Sequence, residues 1–272
     1  LLIINDHKSL YPFLKKYEKQ IRNICLQFDG AGSFQETGYK ILDQDPLLFQ
    51  NLIRLYCSKP IKMSDLEQLV MYSPQLETLD TIVIYHDFER QETNLSSCTK
   101  LKHLALWMSF GDIRLFSDMN RMSISGISET VESILIKPKH GKTRQIGLDM
   151  QKEYENLCSL QLVHVHMSQF PNMMELQVLC LEQCTIPELD INLYKNLEII
   201  KFSNVTLLDR NILLPKLKKL SLVLTKVDSI NCPDLEELTI DGTCPITYIM
   251  MKIWKLIMKH TGSEKLPDVP NV

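Results

Sequence analysis

Four side chains in the middle of the chain have the chemistry of zinc ligands: His164, His166, Cys180 and Cys184. A tetrahedral zinc site needs all of its nitrogen and sulfur ligands within about 2.3 Å of one point. The apolar residues around the two cysteines are spaced as in a strand that runs into a turn. That spacing puts Cys184 at the buried turn and Cys180 on the opposite side of the strand, so their sulfur atoms should diverge. We therefore predict no metal site.

The glycines give no catalytic signature. The chain has nine of them, and none stands in the order G-x-G-x-x-G, G-x-x-x-x-G-K-[ST] or G-x-S-x-G, which would indicate a phosphate cradle or a nucleophile elbow. The nearest segment is D-G-A-G-S at 29–33, which we interpret as a loop that follows a strand. We predict no catalytic residue, no cofactor and no enzymatic activity.

Positive charges cluster at Lys137, Lys139, His140, Lys142 and Arg144. This run is interpreted as a solvated loop, and a site for an anionic partner is the alternative. The whole chain has a net charge of −3 and a pI near 6.2, which disfavours a dedicated nucleic-acid binder. No apolar run approaches the roughly 18 residues that a membrane span needs, so no membrane partner is expected.

A repeated apolar pattern positions these side chains. The segment LQVLCLEQCTI at 176–186 matches L-x-x-L-x-L-x-x-N/C-x-L, in which a short strand leads into a turn. Its first six positions recur in order ten times, although the copies at 52 and 76 depart from it at the third apolar position. The copies start at residues 21, 52, 76, 101, 131, 157, 176, 197, 217 and 235. The steps average about 27 residues in the first half and about 20 in the second, as in solenoid repeats.

The pattern predicts an α/β leucine-rich-repeat solenoid, with a curved parallel β-sheet of about ten repeats. The longer repeats leave room for helices on the convex side of the N-terminal half, and S-D-L-E at 64–67 is a capping box that starts one. Isoleucines, leucine and lysines after residue 245 are spaced as in an amphipathic helix that caps the solenoid; binding to a membrane surface or a partner is the alternative. The predicted domains are an N-terminal helical cap at 1–20, the solenoid at 21–245, a C-terminal capping helix at 246–262 and a flexible tail at 263–272.

Three strands are preceded by similar words: CPDLEEL at 232–238, SPQLETL at 73–79 and CTKLKHL at 98–104. They resemble the C-P-x-L-x-x-L segment of the cysteine-containing leucine-rich repeats in many F-box proteins. LYPFLKKYEKQIRNICL at 10–26 is similar to the passage that follows the F-box in fungal members. The resemblance implies a substrate- or partner-recognition domain of an SCF ubiquitin ligase. It also implies that Skp1 binds an upstream F-box, which these residues do not contain.

The eight cysteines fall on the predicted strands or at their turns. Free thiols behave as small apolar side chains, and this placement predicts reduced cysteines that fill the core rather than a disulfide framework. Reduced cysteines point to the cytoplasm, the nucleus or both.

The strand pattern also predicts the face that meets a partner. In L-x-x-L-x-L the second and third apolar residues point inward, while the residues beside them line the exposed concave sheet. Tyr56 and Trp107 are candidate interface anchors, because aromatic side chains are enriched at hot spots. Around Leu135 and Val178 the row turns apolar, which a partner, a loop or a terminal segment of the chain would cover. The predicted partner-binding residues are Tyr56, His103, Trp107, Leu135, Val163, Val178, Cys180, Lys201, Lys218 and Lys219.

The sequence therefore predicts a non-catalytic protein–protein interaction module. One alternative is a scaffold or small-GTPase regulator of the same fold without ubiquitination. Another is a subunit of a nuclear or chromosome-associated complex, in which the lysines at 137–142 and 218–219 contact phosphates. A steep loss of binding with added salt would favour the last of these.

Overall fold

The chain folds into stacked parallel strands. The computed structural model describes residues 2–3, 15–17, 19–26, 49–85, 92–110, 122–139, 145–150, 153–242, 248–250 and 255–259. The chain divides into two compact units, unit 1 (Leu1–Gln151) and unit 2 (Lys152–Val272). The strands of each unit pair in parallel with one another, so each unit is a parallel β-solenoid.

Unit 1 has one longer and one shorter sheet. The longer sheet contains, in order, β1 (Leu2–Ile3), β2 (Asn23–Leu26), β3 (Arg54–Lys62), β4 (Thr78–Tyr85), β6 (His103–Phe110) and β8 (Ser133–Pro138). The shorter sheet contains β5 (Glu92–Asn94), β7 (Met122–Ser125) and β9 (Ile146–Leu148). Every pair is parallel.

The five apolar triplets predicted in unit 1 coincide with β2, β3, β4, β6 and β8, which confirms those strands. The second residue of each triplet points inward and is at most 1% exposed: Ile24, Leu55, Leu79, Leu104 and Ile134. In a strand, alternate side chains face opposite sides, so a column of leucine and isoleucine forms when the strands stack in register. Burial of each such side chain contributes about 1.5–3 kcal/mol.

The helix predicted from the capping box at 64–67 is present, but this segment lies inside the helix rather than before it. Helix α1 (Met63–Met71) follows β3 directly, and its Leu66, Leu69 and Val70 are at most 1% exposed. Their spacing places them on one face of the helix, which packs against the strands. The described residues between the later strands of unit 1 form β5, β7 and β9 instead of the further helices that the long repeats suggested.

Unit 2 has a sheet of six strands: β10 (Ser159–Val163), β12 (Val178–Glu182), β13 (Ile199–Ser203), β15 (Lys219–Val223), β17 (Glu237–Asp241) and β19 (Lys255–Lys259). A second sheet contains β14 (Asn211–Leu213), β16 (Ser229–Asn231) and β18 (Tyr248–Met250), and the short strand β11 (Val165–Met167) follows β10. A 3₁₀ turn, Ile191–Leu193, is capped by the Asp190 carboxylate, which accepts from the backbone N–H of Asn192 at 3.0 Å.

All five apolar triplets predicted in unit 2 are strands, and their side chains form continuous columns. The three apolar positions of every triplet are at most 2% exposed. Neighbouring strands pair without a register shift, so that Leu179 faces Leu160 on one side and Ile200 on the other. The regular step of about 20 residues thus produces a regular ladder.

A left-handed corner ends each of these strands. The residues that follow β10, β12, β13, β15 and β17 have φ between 49° and 92°: His164, Gln183, Asn204, Leu224 and Gly242. The N–H of each donates to the carbonyl that ends the next strand, for example Leu224 to Asp241 at 2.9 Å. Positive φ costs free energy for every residue except glycine. Four of the five corners are nevertheless formed by residues other than glycine, because the corner turns the chain at the same place in each repeat.

The predicted C-terminal capping helix at 246–262 is wrong where the structure describes it. Residues 248–250 and 255–259 are strands β18 and β19, and β19 pairs in parallel with β17. The last sheet strand offers unpaired backbone N–H and C=O groups along its edge, and another strand can satisfy them whereas a helix cannot. Leu256 continues the buried column beside Leu238, but it is 39% exposed. The predicted tail at 263–272 lies outside the described residues.

The predicted N-terminal helical cap at 1–20 also begins differently. Residues 2–3 form β1, with Leu2 opposite Ile24 of β2, and helical backbone is present at 15–17. Residues 4–14 lie outside the described part of the chain. The same edge pairing explains why apolar residues at the start of the chain join the sheet.

Candidate functional site

The predicted partner-binding residues lie on the solvent-facing side of the longer sheet in each unit, which we call the outer face. In unit 1 these are Tyr56 on β3, His103 and Trp107 on β6, and Leu135 on β8. Tyr56 is 38% exposed and Trp107 is half-buried. The outer face alternates with the buried columns as predicted, because neighbouring side chains on a strand point to opposite sides.

A bulge in β3 creates a pocket on the outer face of unit 1. Cys57 pairs with Thr81 and Pro60 pairs with Ile82, so Ser58 and Lys59 have no counterpart on β4. Proline has no N–H to give to a ladder and is therefore tolerated at bulges. The pocket has a volume of about 430 Å³ and is lined by Cys25, Tyr56, Cys57, Ser58, Asp80, Ile82, Trp107 and Lys139. We call it the bulge pocket.

Strand pairing brings together an acid and an aromatic side chain that lie 27 residues apart. Ile82 pairs with Trp107, and the indole Nε1 of Trp107 donates to Oδ1 of Asp80 at 3.1 Å. Burial raises the pKa of the Asp80 carboxyl above its ordinary value, and the hydrogen bond from Trp107, which favours the charged form, offsets part of the rise. This bond fixes the plane of the indole ring at the pocket wall.

One lysine lines the pocket, and another lies over the ring of its Trp107 wall. The ammonium of Lys137 lies 4.1 Å from the centroid of the Trp107 ring, in a cation–π arrangement. Lys139 lines the pocket and is exposed, and its backbone N–H donates to the carbonyl of Met108 at 2.7 Å. Among the described residues, neither ammonium has a carboxylate within 4.0 Å. The arrangement offers a largely apolar cavity with a carboxylate acceptor at Asp80 and, at Lys139, an ammonium that no described carboxylate pairs.

The other two predicted residues of unit 1 lie away from the bulge pocket. His103 is exposed, and its Nδ1 lies 3.0 Å from the hydroxyl of Ser133 on the neighbouring strand. Leu135 is half-buried and pairs with Ala105, a position beside Asp80 on the outer face. Neither residue lines the bulge pocket.

The outer face of unit 2 contains the remaining six predicted residues. Val163, Val178 and Cys180 are half-buried, and Cys180 pairs in register with the exposed Lys201. Burial raises the pKa of the Cys180 thiol, and the positive charge of Lys201 offsets part of the rise. These side chains form an apolar strip with a cationic edge.

Lys218 and Lys219 are already engaged by acids on neighbouring strands. The ammonium of Lys218 lies 2.8 Å from the Glu198 carboxylate, and that of Lys219 lies 3.4 Å from Glu237. The hydrogen bond to Glu198 raises the pKa of Lys218. Both pairs are exposed to water and screened by salt, so an anionic partner would have to compete with existing carboxylates.

None of the seven cysteines that the structure describes is in a disulfide. Cys98 donates from Sγ to the carbonyls of Val70 and Ser73, both at 3.7 Å, and Cys184 donates to the carbonyl of Leu162 at 3.4 Å. Burial raises the pKa of Cys98 to about 12 and that of Cys184 to about 11. Cys184 is buried and Cys180 lies on the outer face, as the sequence predicted.

The sequence interpretation did not predict the bulge. Of the eight residues that line its pocket, only Tyr56 and Trp107 belong to the predicted partner-binding set, and Lys139 was named only in the basic run. The signal was a proline in a predicted strand, Pro60, because proline inside a sheet indicates an edge or a bulge. A second signal was the late apolar residue of the repeat at 76, where Thr81 takes the third apolar position and Ile82 follows it. A bulge on one strand shifts which residues face each other across the pair.

Within the part of the chain that the structure describes, no group of three or more histidine, cysteine, aspartate or glutamate side chains is arranged to hold a metal ion. No helix found there is long and apolar enough to cross a membrane. Comparison with protein-family models, with curated proteins and with solved structures gives no match for this chain.

Proposed function

We propose that this chain is a non-catalytic protein–protein interaction module built from leucine-rich repeats. One observation carries the proposal: the outer face of unit 1 presents a cavity with two aromatic walls on a rigid sheet. Sites on regular strands are held more precisely than sites on loops. Tyrosine and tryptophan are the side chains most often found as anchors at protein interfaces.

The repeats support the leucine-rich-repeat part of the proposal. In the words CTKLKHL and CPDLEEL, the N–H of the first leucine donates to the carbonyl of the cysteine three residues earlier, at 3.2 Å for Leu101 and 3.0 Å for Leu235. The Sγ of Cys98 and that of Cys232 donate to carbonyls of the preceding repeat. The cysteine thus closes the turn before the strand and ties one repeat to the previous one.

The proposed cellular role is recognition of a substrate or partner for an SCF ubiquitin ligase, with Skp1 bound by an F-box upstream of this chain. The support is the cysteine-containing repeat words, whose thiols have the structural role just described. The experiment is co-purification of Skp1 with the full reading frame, followed by turnover of the captured partner with and without ligase activity. Skp1 bound without turnover would favour the scaffold or GTPase-regulator alternative.

The binding face is tested by substitution on this chain. Tyr56→Ala should reduce capture of the partner by about tenfold or more while the melting temperature stays nearly constant, because the ring is 38% exposed and has no hydrogen bond to a described residue. Trp107→Ala is a poorer probe, since it also removes the bond to Asp80. Met71→Ala, an exposed apolar residue on α1, is the matched control. Equal capture by the Tyr56 and Met71 variants would contradict the proposal.

A further inference from the structure

The bulge pocket contains recognition groups that the fold leaves unused. Asp80 accepts one hydrogen bond, from the indole of Trp107, and a carboxylate has room for several. Lys139 lines the same cavity, and its ammonium has no carboxylate of a described residue within 4.0 Å. Elsewhere on the outer face of unit 1 an ion pair is formed, with Nζ of Lys102 3.8 Å from Oε2 of Glu77. Around the pocket, Asp80 and Lys139 have no ion pair with a described residue and can therefore pair with groups of a partner.

The walls of the pocket select an apolar occupant. Tyr56 and Trp107 supply aromatic surface, and Ile82 is only 8% exposed although it lies on the solvent side of β4. A cavity of about 430 Å³ is within the range of pockets that enclose a small ligand or one large side chain, roughly 300–1,000 Å³. Water in such a cavity makes few hydrogen bonds, so an aliphatic or aromatic side chain replaces it favourably.

The charges around the pocket favour a particular residue type next to that apolar side chain in the partner's sequence. Two ammonium groups, Lys137 and Lys139, stand against one carboxylate, Asp80, and the excess is positive. Lys137 is held over the Trp107 ring, so the exposed Lys139, which lines the pocket, is the cation that a partner can reach there. A cationic residue of a partner would meet both ammonium groups, whereas a carboxylate would pair with Lys139.

We infer that the bulge pocket binds a protein partner through an apolar side chain, held between Tyr56 and Trp107, that is followed by an aspartate or glutamate whose carboxylate pairs with Lys139. Asp80 acts as a positioning residue, because its hydrogen bond fixes the indole that forms one wall. This inference rests on the proposed function and names the chemistry that the partner must show.

Short peptides test the inference directly. The probes are acetylated and amidated peptides of sequence GSLESG, with GSAESG, GSLQSG and GSLKSG as matched controls. The reporter is the ¹H–¹⁵N signal of the indole N–H of Trp107; the chain has two tryptophans, and Trp254→Phe assigns the pair. GSLESG should shift the Trp107 signal saturably. GSLQSG should bind about three- to fivefold more weakly, as expected for loss of one exposed ion pair, and GSAESG about tenfold or more.

Two charge variants separate the role of Lys139 from general electrostatics. Lys139→Gln should abolish the preference for GSLESG over GSLQSG and leave the preference for leucine over alanine. Lys226→Gln, the same change at an exposed lysine of unit 2, should leave both preferences intact. Raising the salt concentration should weaken GSLESG more than GSLQSG, because salt screens the ion pair.

Each outcome bears on the inference. Tighter binding of GSLKSG than of GSLESG would overturn it in favour of a cation held by Asp80. The absence of a saturable shift with any of the four peptides would also overturn it. If Tyr56→Ala still reduces capture of the full partner in that case, the proposed function stands and only the pocket chemistry fails. If no substitution on the outer face alters capture, the proposed function fails as well.

Discussion

The end of unit 2 gives the sharpest test of the fold. Leu238 on β17 and Leu256 on β19 are partners in one apolar column, yet Leu238 is fully buried and Leu256 is 39% exposed. Leu→Ala removes three carbon atoms, each contributing about 0.8 kcal/mol when buried. At Leu238 a cavity remains and adds to this loss, so the expected total is about 3–4 kcal/mol. At Leu256 only about six-tenths of the loss applies and solvent fills the space, so we expect about 1.5 kcal/mol.

The assay is urea denaturation monitored by far-ultraviolet circular dichroism. The free energies of unfolding of the two variants and the unsubstituted chain are compared with the same dependence on urea concentration (m-value) for all three. Lys255→Ala, an exposed position on the same strand, is the control and should change the free energy of unfolding by at most about 0.5 kcal/mol. Amide hydrogen exchange locates the effect: Leu256→Ala should speed exchange in β19, while Leu238→Ala should speed it throughout unit 2.

Equal losses at the two leucines would refute this reasoning. A capping helix over 246–262, which the amphipathic spacing predicted, would bury Leu256 as deeply as Leu238 and give that result. The difference between the two free energies of unfolding therefore decides between the strand and the helix.

Three further predictions concern single side chains. Because folding raises the pKa of Asp80 above its ordinary 3.8, the carboxyl contributes stability below that pH and loses it as the pH rises through the folded pKa. Asp80→Asn should therefore gain melting temperature relative to the unsubstituted chain at pH 7 but not at pH 3.5, and an equal difference at both pH values would contradict the burial of the carboxylate. Iodoacetamide at pH 8 should label half-buried Cys158 more than about 100-fold faster than buried Cys98, whose pKa is about 12. Peptide mapping measures the two rates, and equal rates would mean that Cys98 is not buried. Gly242→Ala should lower the free energy of unfolding by about 1–2 kcal/mol, because φ is 92° and the new Cβ would lie 2.6 Å from Cδ2 of Leu224. In thermal unfolding, most of this loss should persist when Leu224 is also replaced by alanine. If the second substitution restored the full stability, the contact with Leu224 and not the value of φ would cause the loss.

The bulge pocket could be predicted only in part. The alternation of a strand placed Tyr56 and Trp107 on the outer face, and aromatic character alone selected them. The link between Trp107 and Asp80 depends on which residues pair across β4 and β6, and the bulge at Ser58 and Lys59 changes the facing residues on β3. Register between strands about 25 residues apart is a property of the sheet, since no local signal counts the residues in the intervening loop.

The amino-acid sequence by itself determined where the ten predicted strands lie and which of their side chains are buried, because an apolar column is stable only if every repeat presents leucine or isoleucine at the same step. It also determined that cysteines such as Cys98 and Cys232 would serve as small buried side chains. Only the tertiary structure decided whether residues 255–259 form a helix or a strand. Their run of Leu256, Ile257 and Met258 suits a helix or a strand equally, and the free edge of β17, whose backbone groups need partners, selects the strand.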